Sequence, residues 1–294
     1  MQKPSAISWL SKCGFSAAAL LVACGVATAL VGKGLPLPAA TVRDGTLLTL
    51  NRYVQEPVPD VVLLGSSLGF RLKEEYFATE GVRNLALAGG SPITGLEVVL
   101  HQSRLPRLVL VETNVLSRPP DENVIARYSR ERGFAVELLR PIRASIAAFE
   151  NWRHAPLTHA QAVAEMDRLL TQPVSDFDNR IYLARAVKEF DEDPTVAVQA
   201  NVERLAALIQ KARERDARIM LLELPFPKEI EATRTVQITR RIVHGRFADP
   251  TLWLPIDVAT GELRWLDGVH LDERSAMLVS RSIDRAIGRL LKSD

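Results

Sequence analysis

Three polar residues, far apart in the sequence, are of the types that together perform nucleophilic acyl transfer. A serine follows an apolar run in Gly65-Ser66-Ser67-Leu68, and an Asp-x-x-His pair, Asp267 and His270, lies near the C-terminus. An imidazole oriented by a neighbouring carboxylate can take the proton of a serine hydroxyl and so make it a nucleophile. These residues predict an acyl-transfer site, provided that the fold brings them together.

Short apolar runs alternate with helical patterns over most of the chain. The runs predicted to be strands are 61–64, 82–87, 108–111, 219–224 and 252–256, and the helical patterns cover 94–104, 195–215, 228–244 and 272–292. Near-continuous apolar runs are typical of strands covered on both faces, and strand–helix alternation favours a parallel sheet. We therefore expect an α/β fold: a doubly wound, flavodoxin-like, mostly parallel five-stranded sheet with helices on both faces.

The candidate residues follow the predicted strands. Ser67 follows the first strand, Gly89 follows the second and Asn114 follows the third, while Asp267 and His270 precede the last helix. In an open parallel sheet, ligands bind beyond the carboxyl ends of the strands. The topology therefore predicts that these residues gather at one edge. Each also has a purely structural interpretation, as a helix cap, a tight turn or a loop hydrogen bond.

This arrangement resembles the SGNH, or GDSL-type, hydrolase superfamily over residues 58–294. The blocks of that superfamily correspond here to Gly65-Ser66-Ser67-Leu68, Asn84 with Gly89, Asn114, and Asp267 with His270. The resemblance implies that Ser67 is the nucleophile, that His270 is the base and that Asp267 orients it. It also implies an oxyanion hole formed by the backbone N–H groups of Ser67 and Gly89 and the side-chain amide of Asn114.

The resemblance looks closest to membrane-tethered members associated with acylation or deacylation of bacterial cell-surface polysaccharides. It implies a serine esterase or O-acyltransferase, with acetyl as the expected acyl group and a carbohydrate or envelope ester as substrate. A transferase needs an acyl donor, which a membrane protein or a polysaccharide-synthesis protein would supply as partner. The residues named do not distinguish attack by water from attack by a sugar hydroxyl.

The chain departs from the superfamily pattern at Ser66, which replaces Asp, and around Asn114, where Glu112 and Val115 replace Gly and Asp. These departures favour an alternative in which the domain is an inactive scaffold or binding subunit of a polysaccharide assembly or export complex. A third interpretation, a lipase or lysophospholipase, requires a broad apolar cleft. Glu112 is expected either to orient a substrate hydroxyl or to pair with an arginine such as Arg71.

The N-terminal segment predicts membrane attachment. Residues 13–32 carry no charge and follow Lys3 and Lys12, so we expect a cytoplasmic segment 1–12, a transmembrane anchor 13–32 and a linker 33–57. This places the domain in the periplasm or outside the cell, held in the bacterial cytoplasmic membrane. A secretory signal cut after Ala27-Thr28-Ala29, or a lipoprotein box at Leu21-Val22-Ala23-Cys24, would export the domain equally.

Composition narrows the remaining possibilities. The formal charge of +2 on 294 residues predicts no nucleic-acid partner, and Cys13 and Cys24, the only cysteines, lie in the apolar segment. We therefore expect no disulfide or thiolate metal site in the exported domain, and no cofactor or metal at its active site.

Residues 118–194 interrupt the strand–helix rhythm and predict a helical insertion that acts as a lid or a partner surface.

Overall fold

The computed structural model describes residues 6–31, 49–50, 53–54, 57–129, 159–174 and 177–292. The chain divides into two compact units, of which one comprises residues 1–57 with 130–156 and the other comprises residues 58–129 with 157–294. The candidate site residues all belong to the second unit.

In the first unit, helix α1 spans Ala6–Val31 and is longer than the predicted anchor. Its segment Ser8–Val26 has a mean hydropathy of 1.5 and is long and apolar enough to cross a membrane, the one such helix among the described residues. At 1.5 Å per residue, 19 residues extend about 28 Å, close to the thickness of the hydrocarbon core. Most of the described apolar side chains of this helix are exposed, including Phe15 at 78%, whereas Cys24 is buried.

The second unit contains a four-stranded, all-parallel sheet. Its strands are β1 (Val61–Leu64), β2 (Val82–Asn84), β3 (Leu108–Glu112) and β4 (Arg218–Leu222), in the order β2-β1-β3-β4. The expected α/β class and parallel sheet are confirmed.

The helices of this unit follow the strands in the alternation that the sequence predicts. They are α2 (Pro92–Leu100), α3 (Glu122–Ser129), α4 (His159–Leu170), α5 (Arg180–Glu189), α6 (Thr195–Arg213), α7 (Lys228–Glu231), α8 (Arg234–Arg246) and α9 (Glu273–Lys292). The described parts of the insertion 118–194 include α3, α4 and α5, whereas residues 130–158 and 175–176 lie outside the described residues.

Both faces of the sheet are covered, which explains the near-continuous apolar runs. Leu63 and Leu110 belong to one hydrophobic cluster with Ile283 of α9. Leu64, which follows Leu63 in β1, is equally buried. Helix α2 packs against Leu64 so closely that a Cβ on Gly95 would lie 3.0 Å from Leu64 Cδ2.

The predicted fifth strand, at 252–256, is wrong. Residues Pro250–Leu252 form a 3₁₀ turn, and only Trp253 makes a parallel bridge, to Leu221 of β4. One ladder-type hydrogen bond follows, from Leu254 N to Leu221 O at 2.8 Å. Pro255 comes next and has no N–H to donate, which explains why the pairing does not continue.

Candidate active site

The predicted nucleophile lies in the turn that leaves β1. Ser66 is fully buried, whereas Ser67 is partly exposed and lines a cavity. Within the described part of the chain, neither the hydroxyl nor the amide N–H of Ser67 makes a hydrogen bond. Of the two adjacent serines, Ser67 is therefore the one whose hydroxyl is available for chemistry.

The Asp-x-x-His motif forms a closed turn immediately before α9. Asp267 Oδ1 accepts hydrogen bonds from Val269 N at 3.1 Å and His270 N at 2.8 Å, and Oδ2 lies 2.7 Å from His270 Nδ1. A carboxylate at Nδ1 favours the tautomer that carries its proton there, which leaves Nε2 with a free lone pair. The turn thus prepares Nε2 as a base.

The electrostatics of Asp267 suit this role. Its partial burial opposes ionisation, but the hydrogen bonds from the backbone and imidazole of His270 and from the Val269 amide outweigh that cost, so the pKa of Asp267 is lowered. The carboxylate stays ionised at neutral pH, as is required of a carboxylate that orients a histidine base.

The turn is held in place from two sides. Leu266 N donates to His270 O at 2.8 Å, next to an antiparallel bridge between Trp265 and Leu271. On the other side, Gly268 has φ +82° and packs against α5, where a Cβ would lie 2.5 Å from Leu183 Cα. Only glycine suits this position, because any side chain would combine backbone strain with a steric clash.

Ser67, Asp267 and His270 line one cavity of about 260 Å³. Val115 and Arg118 line it after β3, and α5 contributes Tyr182, Arg185, Ala186 and Glu189. His270 Nε2 is buried and has no hydrogen-bond partner, so the nitrogen suited to act as a base is unsatisfied. Ser67 and His270 share the cavity but are not hydrogen-bonded to each other.

The two other predicted oxyanion-hole residues do not line this cavity. Gly89 adopts φ +77°, and its amide N–H makes no hydrogen bond to the described residues. The Asn114 side chain is engaged with the segment after β4: its Nδ2 donates to Leu224 O at 2.8 Å, and Leu224 N donates to its Oδ1 at 2.7 Å. One Nδ2 hydrogen of Asn114 remains for another acceptor.

Asn84, the other residue of the second block, lies in β2 and supports the nucleophile turn, residues 65–69, which carries Ser67. Its Nδ2 donates to Gly69 O at 2.8 Å and to Leu72 O at 2.6 Å, and its Oδ1 accepts from Ala86 N at 2.8 Å. Asn84 therefore connects the segment after Ser67 to the segment that leads to Gly89.

Glu112 lies beneath the nucleophile turn and is fully buried. Its Oε2 accepts hydrogen bonds from Ser66 N at 2.9 Å and Gly69 N at 3.0 Å, and its Oε1 accepts from Ser66 Oγ at 2.8 Å. A Cβ on Gly65 would lie 2.5 Å from Oε2, so the glycine leaves room for the carboxylate. The expected pairing with Arg71 is wrong, because the Arg71 guanidinium instead donates from Nε to Leu271 O at 3.1 Å.

Burial is the largest influence on Glu112 and raises its pKa, against the opposing effects of the hydrogen bonds from Ser66 and Gly69 and of the charge on Arg118. The expectation that Glu112 orients a substrate hydroxyl does not fit its position, since its oxygens are occupied by the turn. Sequence reasoning identified Glu112 as unusual but could not find its partners, because the contacts are 43 and 46 residues apart.

Sequence reasoning also missed the cavity wall formed by α5 and the cation Arg118. The only available signal was that both lie in the insertion predicted to cover the strand ends. No protein-family model matches this chain, and no curated protein matches it significantly. The chemistry available to this protein is therefore inferred from the residues of the site.

Proposed function

We propose that this protein is a membrane-anchored, extracytoplasmic serine esterase or O-acyltransferase that acts on carbohydrate or cell-envelope esters. The observation that carries the proposal is the cavity shared by Ser67 and His270. In it, Asp267 holds His270 Nδ1 at 2.7 Å, and the opposite nitrogen, Nε2, is buried without a partner. A buried, unsatisfied nitrogen in the same cavity as an unbonded serine is suited to receive that serine's proton.

In the proposed mechanism, His270 Nε2 takes the Ser67 proton as Oγ attacks the ester carbonyl. The tetrahedral intermediate collapses when the C–O bond of the leaving alcohol breaks, and the imidazolium returns the proton to that alcohol. Water, or a sugar hydroxyl, then attacks the acyl-Ser67 ester with His270 again as base. Water makes the protein an esterase, and a sugar hydroxyl makes it a transferase.

The oxyanion needs donors during both steps. Ser67 lines the cavity, and its backbone N–H group is unbonded within the described residues and is available for this role, whereas the unbonded N–H of Gly89 belongs to a residue outside the cavity lining. The remaining amide hydrogen of Asn114 is the third donor that the superfamily resemblance implies. Loss of one such donor typically costs about 3 kcal/mol of transition-state stabilisation.

The fold and the N-terminal helix support the wider assignment. The strand order β2-β1-β3-β4 agrees with a flavodoxin-like, doubly wound sheet, in which ligands bind at the carboxyl ends of the strands. We assign α1 as a single-pass anchor in the bacterial cytoplasmic membrane, with the domain on the periplasmic or outer side. Lys3 and Lys12 before the apolar segment support that orientation.

The test is turnover of p-nitrophenyl acetate by the full chain in detergent, beside Ser67→Ala and His270→Ala. We expect both substitutions to abolish turnover. His244→Ala is the matched control, because His244 Nε2 also contacts a carboxylate, Glu223 Oε1 at 3.2 Å, but lies outside the cavity. Equal turnover by all four folded proteins would refute the esterase chemistry.

The second candidate is a catalytically inactive scaffold or binding subunit of a polysaccharide assembly complex. Two observations favour it: Ser67 and His270 are not hydrogen-bonded, and the Asn114 amide is engaged with Leu224. A folded full chain that lacks turnover and does not react covalently at Ser67 with a fluorophosphonate would support the scaffold.

A further inference from the structure

The cavity that holds Ser67 and His270 also contains a cation whose charge the proposed mechanism does not use. Arg118 lines this cavity, and its Nη1 is buried without a hydrogen-bond partner. An unsatisfied buried N–H group costs about 1–3 kcal/mol, and more when the group is charged. A cavity that contains such a group is suited to a ligand that accepts its hydrogen bond.

The other charged groups of the cavity are already paired. Arg185 Nε donates to Glu189 Oε1 at 2.8 Å on the exposed surface of α5, and Asp267 is held by His270. The charge of Arg118 acts on the buried carboxyl of Glu112, but the Glu112 oxygens accept hydrogen bonds from the turn after β1 rather than from the guanidinium. Arg118 is therefore the one cavity cation for which the described residues provide no ion pair.

Guanidinium presents its donors as a planar fork that matches a carboxylate or a phosphate in two parallel hydrogen bonds. We propose that Arg118 binds an anionic group, a carboxylate or a phosphate, on the substrate whose ester bond Ser67 attacks. This inference rests on the proposed function, and it narrows the substrate class to acidic esters. A volume of about 260 Å³ accommodates a small acyl group and one neighbouring ring, which keeps the anion close to the ester.

The experiment compares three esters with the full chain in detergent: 4-acetoxybenzoate, 4-acetoxyphenyl phosphate and the neutral methyl 4-acetoxybenzoate. The measured quantity is the ratio of kcat/KM for each anionic ester to that for the neutral ester. Comparison of variant with wild type cancels the intrinsic reactivity of the esters. We expect Arg118→Gln to lower the ratio roughly tenfold or more, and Arg118→Lys to restore part of it, because lysine keeps the charge without the fork.

Arg185→Gln is the matched control, because this arginine lines the same cavity but already has a partner. We expect it to keep the wild-type ratio. The anionic ester whose ratio falls further identifies the carboxylate or the phosphate as the group bound. A ratio that is the same in wild type and in folded Arg118→Gln would overturn the proposal.

A binding measurement separates this proposal from the proposed function. Calorimetric titration of 4-acetoxybenzoate and 4-acetoxyphenyl phosphate into Ser67→Ala, and into Ser67→Ala with Arg118→Gln, requires no turnover. Binding that disappears with Arg118, in a protein that never hydrolyses the esters, would retain the anion site and reject the enzyme. Hydrolysis of all three esters, with the same ratio of anionic to neutral kcat/KM in Arg118→Gln as in wild type, would retain the enzyme and reject the anion site.

Discussion

At the scale of single residues, the two positions at which the chain differs from the motifs it resembles form one structural feature. Ser66 replaces an aspartate and Glu112 replaces a glycine, and the two side chains bond to each other, Oγ to Oε1, at 2.8 Å. The acidic group of this site is therefore at the end of β3, where it bonds to the turn, and not in the turn itself. Both residues are buried beneath Ser67 rather than placed in the cavity, so the departures alone do not argue against chemistry at Ser67.

Glu112 also makes the stability of the fold depend on pH. Burial raises the pKa of Glu112 above its ordinary value of 4.5. Between 4.5 and the raised value, the native state holds a proton that the unfolded state has released, so this contribution to stability is lost as pH rises. Glutamine can accept both backbone bonds without titrating. We therefore expect the Tm of wild type, relative to that of Glu112→Gln, to fall as pH rises from 4.5.

Differential scanning fluorimetry of both proteins from pH 4 to pH 8 measures this. Tm curves that stay parallel across the range would contradict the raised pKa. Glu112→Ala provides a second comparison, since it leaves the amides of Ser66 and Gly69 without their acceptor. An orphaned buried donor costs about 1–3 kcal/mol, so this variant should be less stable than Glu112→Gln at every pH.

Asp267 has a different predicted role, because it acts on the tautomer of His270. Asp267→Asn keeps the size of the side chain but no longer provides a carboxylate for Nδ1–H. In a serine triad such a change lowers kcat about 10⁴-fold while the geometry persists. We expect a loss of that order in p-nitrophenyl acetate turnover, with the Tm changed little. Turnover within a few-fold of wild type would remove Asp267 from the mechanism.

At the scale of elements, the sequence patterns predicted those strands and helices whose formation depends on the chemistry of their own residues. Continuous apolar runs located β1 and β3, because strands covered on both faces need apolar side chains at every position. Prediction failed at 252–256, where the run is apolar but Pro255 prevents the ladder from continuing. The predicted helix 228–244 is two helices, α7 and α8, and Thr233 precedes the second.

The candidate site was predictable only in part. The positions of Ser67 and His270 followed from spacing and topology, because each follows or precedes a recognisable element. The pairing of Ser66 with Glu112, the clamp of Asn114 on Leu224 and the wall formed by α5 all depend on long-range packing. No periodicity in a single sequence encodes such contacts.

The contact between α5 and the turn from Asp267 to His270 gives a prediction at this scale. Gly268→Ala places a methyl group 2.5 Å from Leu183 Cα at a residue with φ +82°. We expect a loss of about 2 kcal/mol or more in the free energy of unfolding, with reduced turnover, because His270 must shift. The control is Gly261→Ala, where a Cβ meets nothing within 4 Å. Equal urea midpoints for the two variants would contradict the packing described here.

At the scale of the whole molecule, the proposed substrate class, cell-envelope esters, places the domain on the outer side of the membrane. Helix α1 supplies an apolar segment, and the domain supplies no cysteine, since the only two lie at 13 and 24. This distribution makes the topology measurable with one introduced thiol. In a background with Cys13→Ser and Cys24→Ser, Lys211→Cys places a thiol on the exposed surface of α6.

We expect a membrane-impermeant maleimide to label this thiol in intact spheroplasts, and the labelled protein to sediment with membranes after an alkaline wash. Leu20→Arg puts a charge near the middle of the apolar segment, at a cost of about 2.5–3.5 kcal/mol on insertion scales, and should release protein from the membrane fraction. Leu20→Ile is the matched control and should not. Labelling only after lysis would place the domain in the cytoplasm. Labelling of a soluble, shortened protein would show that the N-terminal segment is a cleaved signal and not an anchor, and that the domain is still exported.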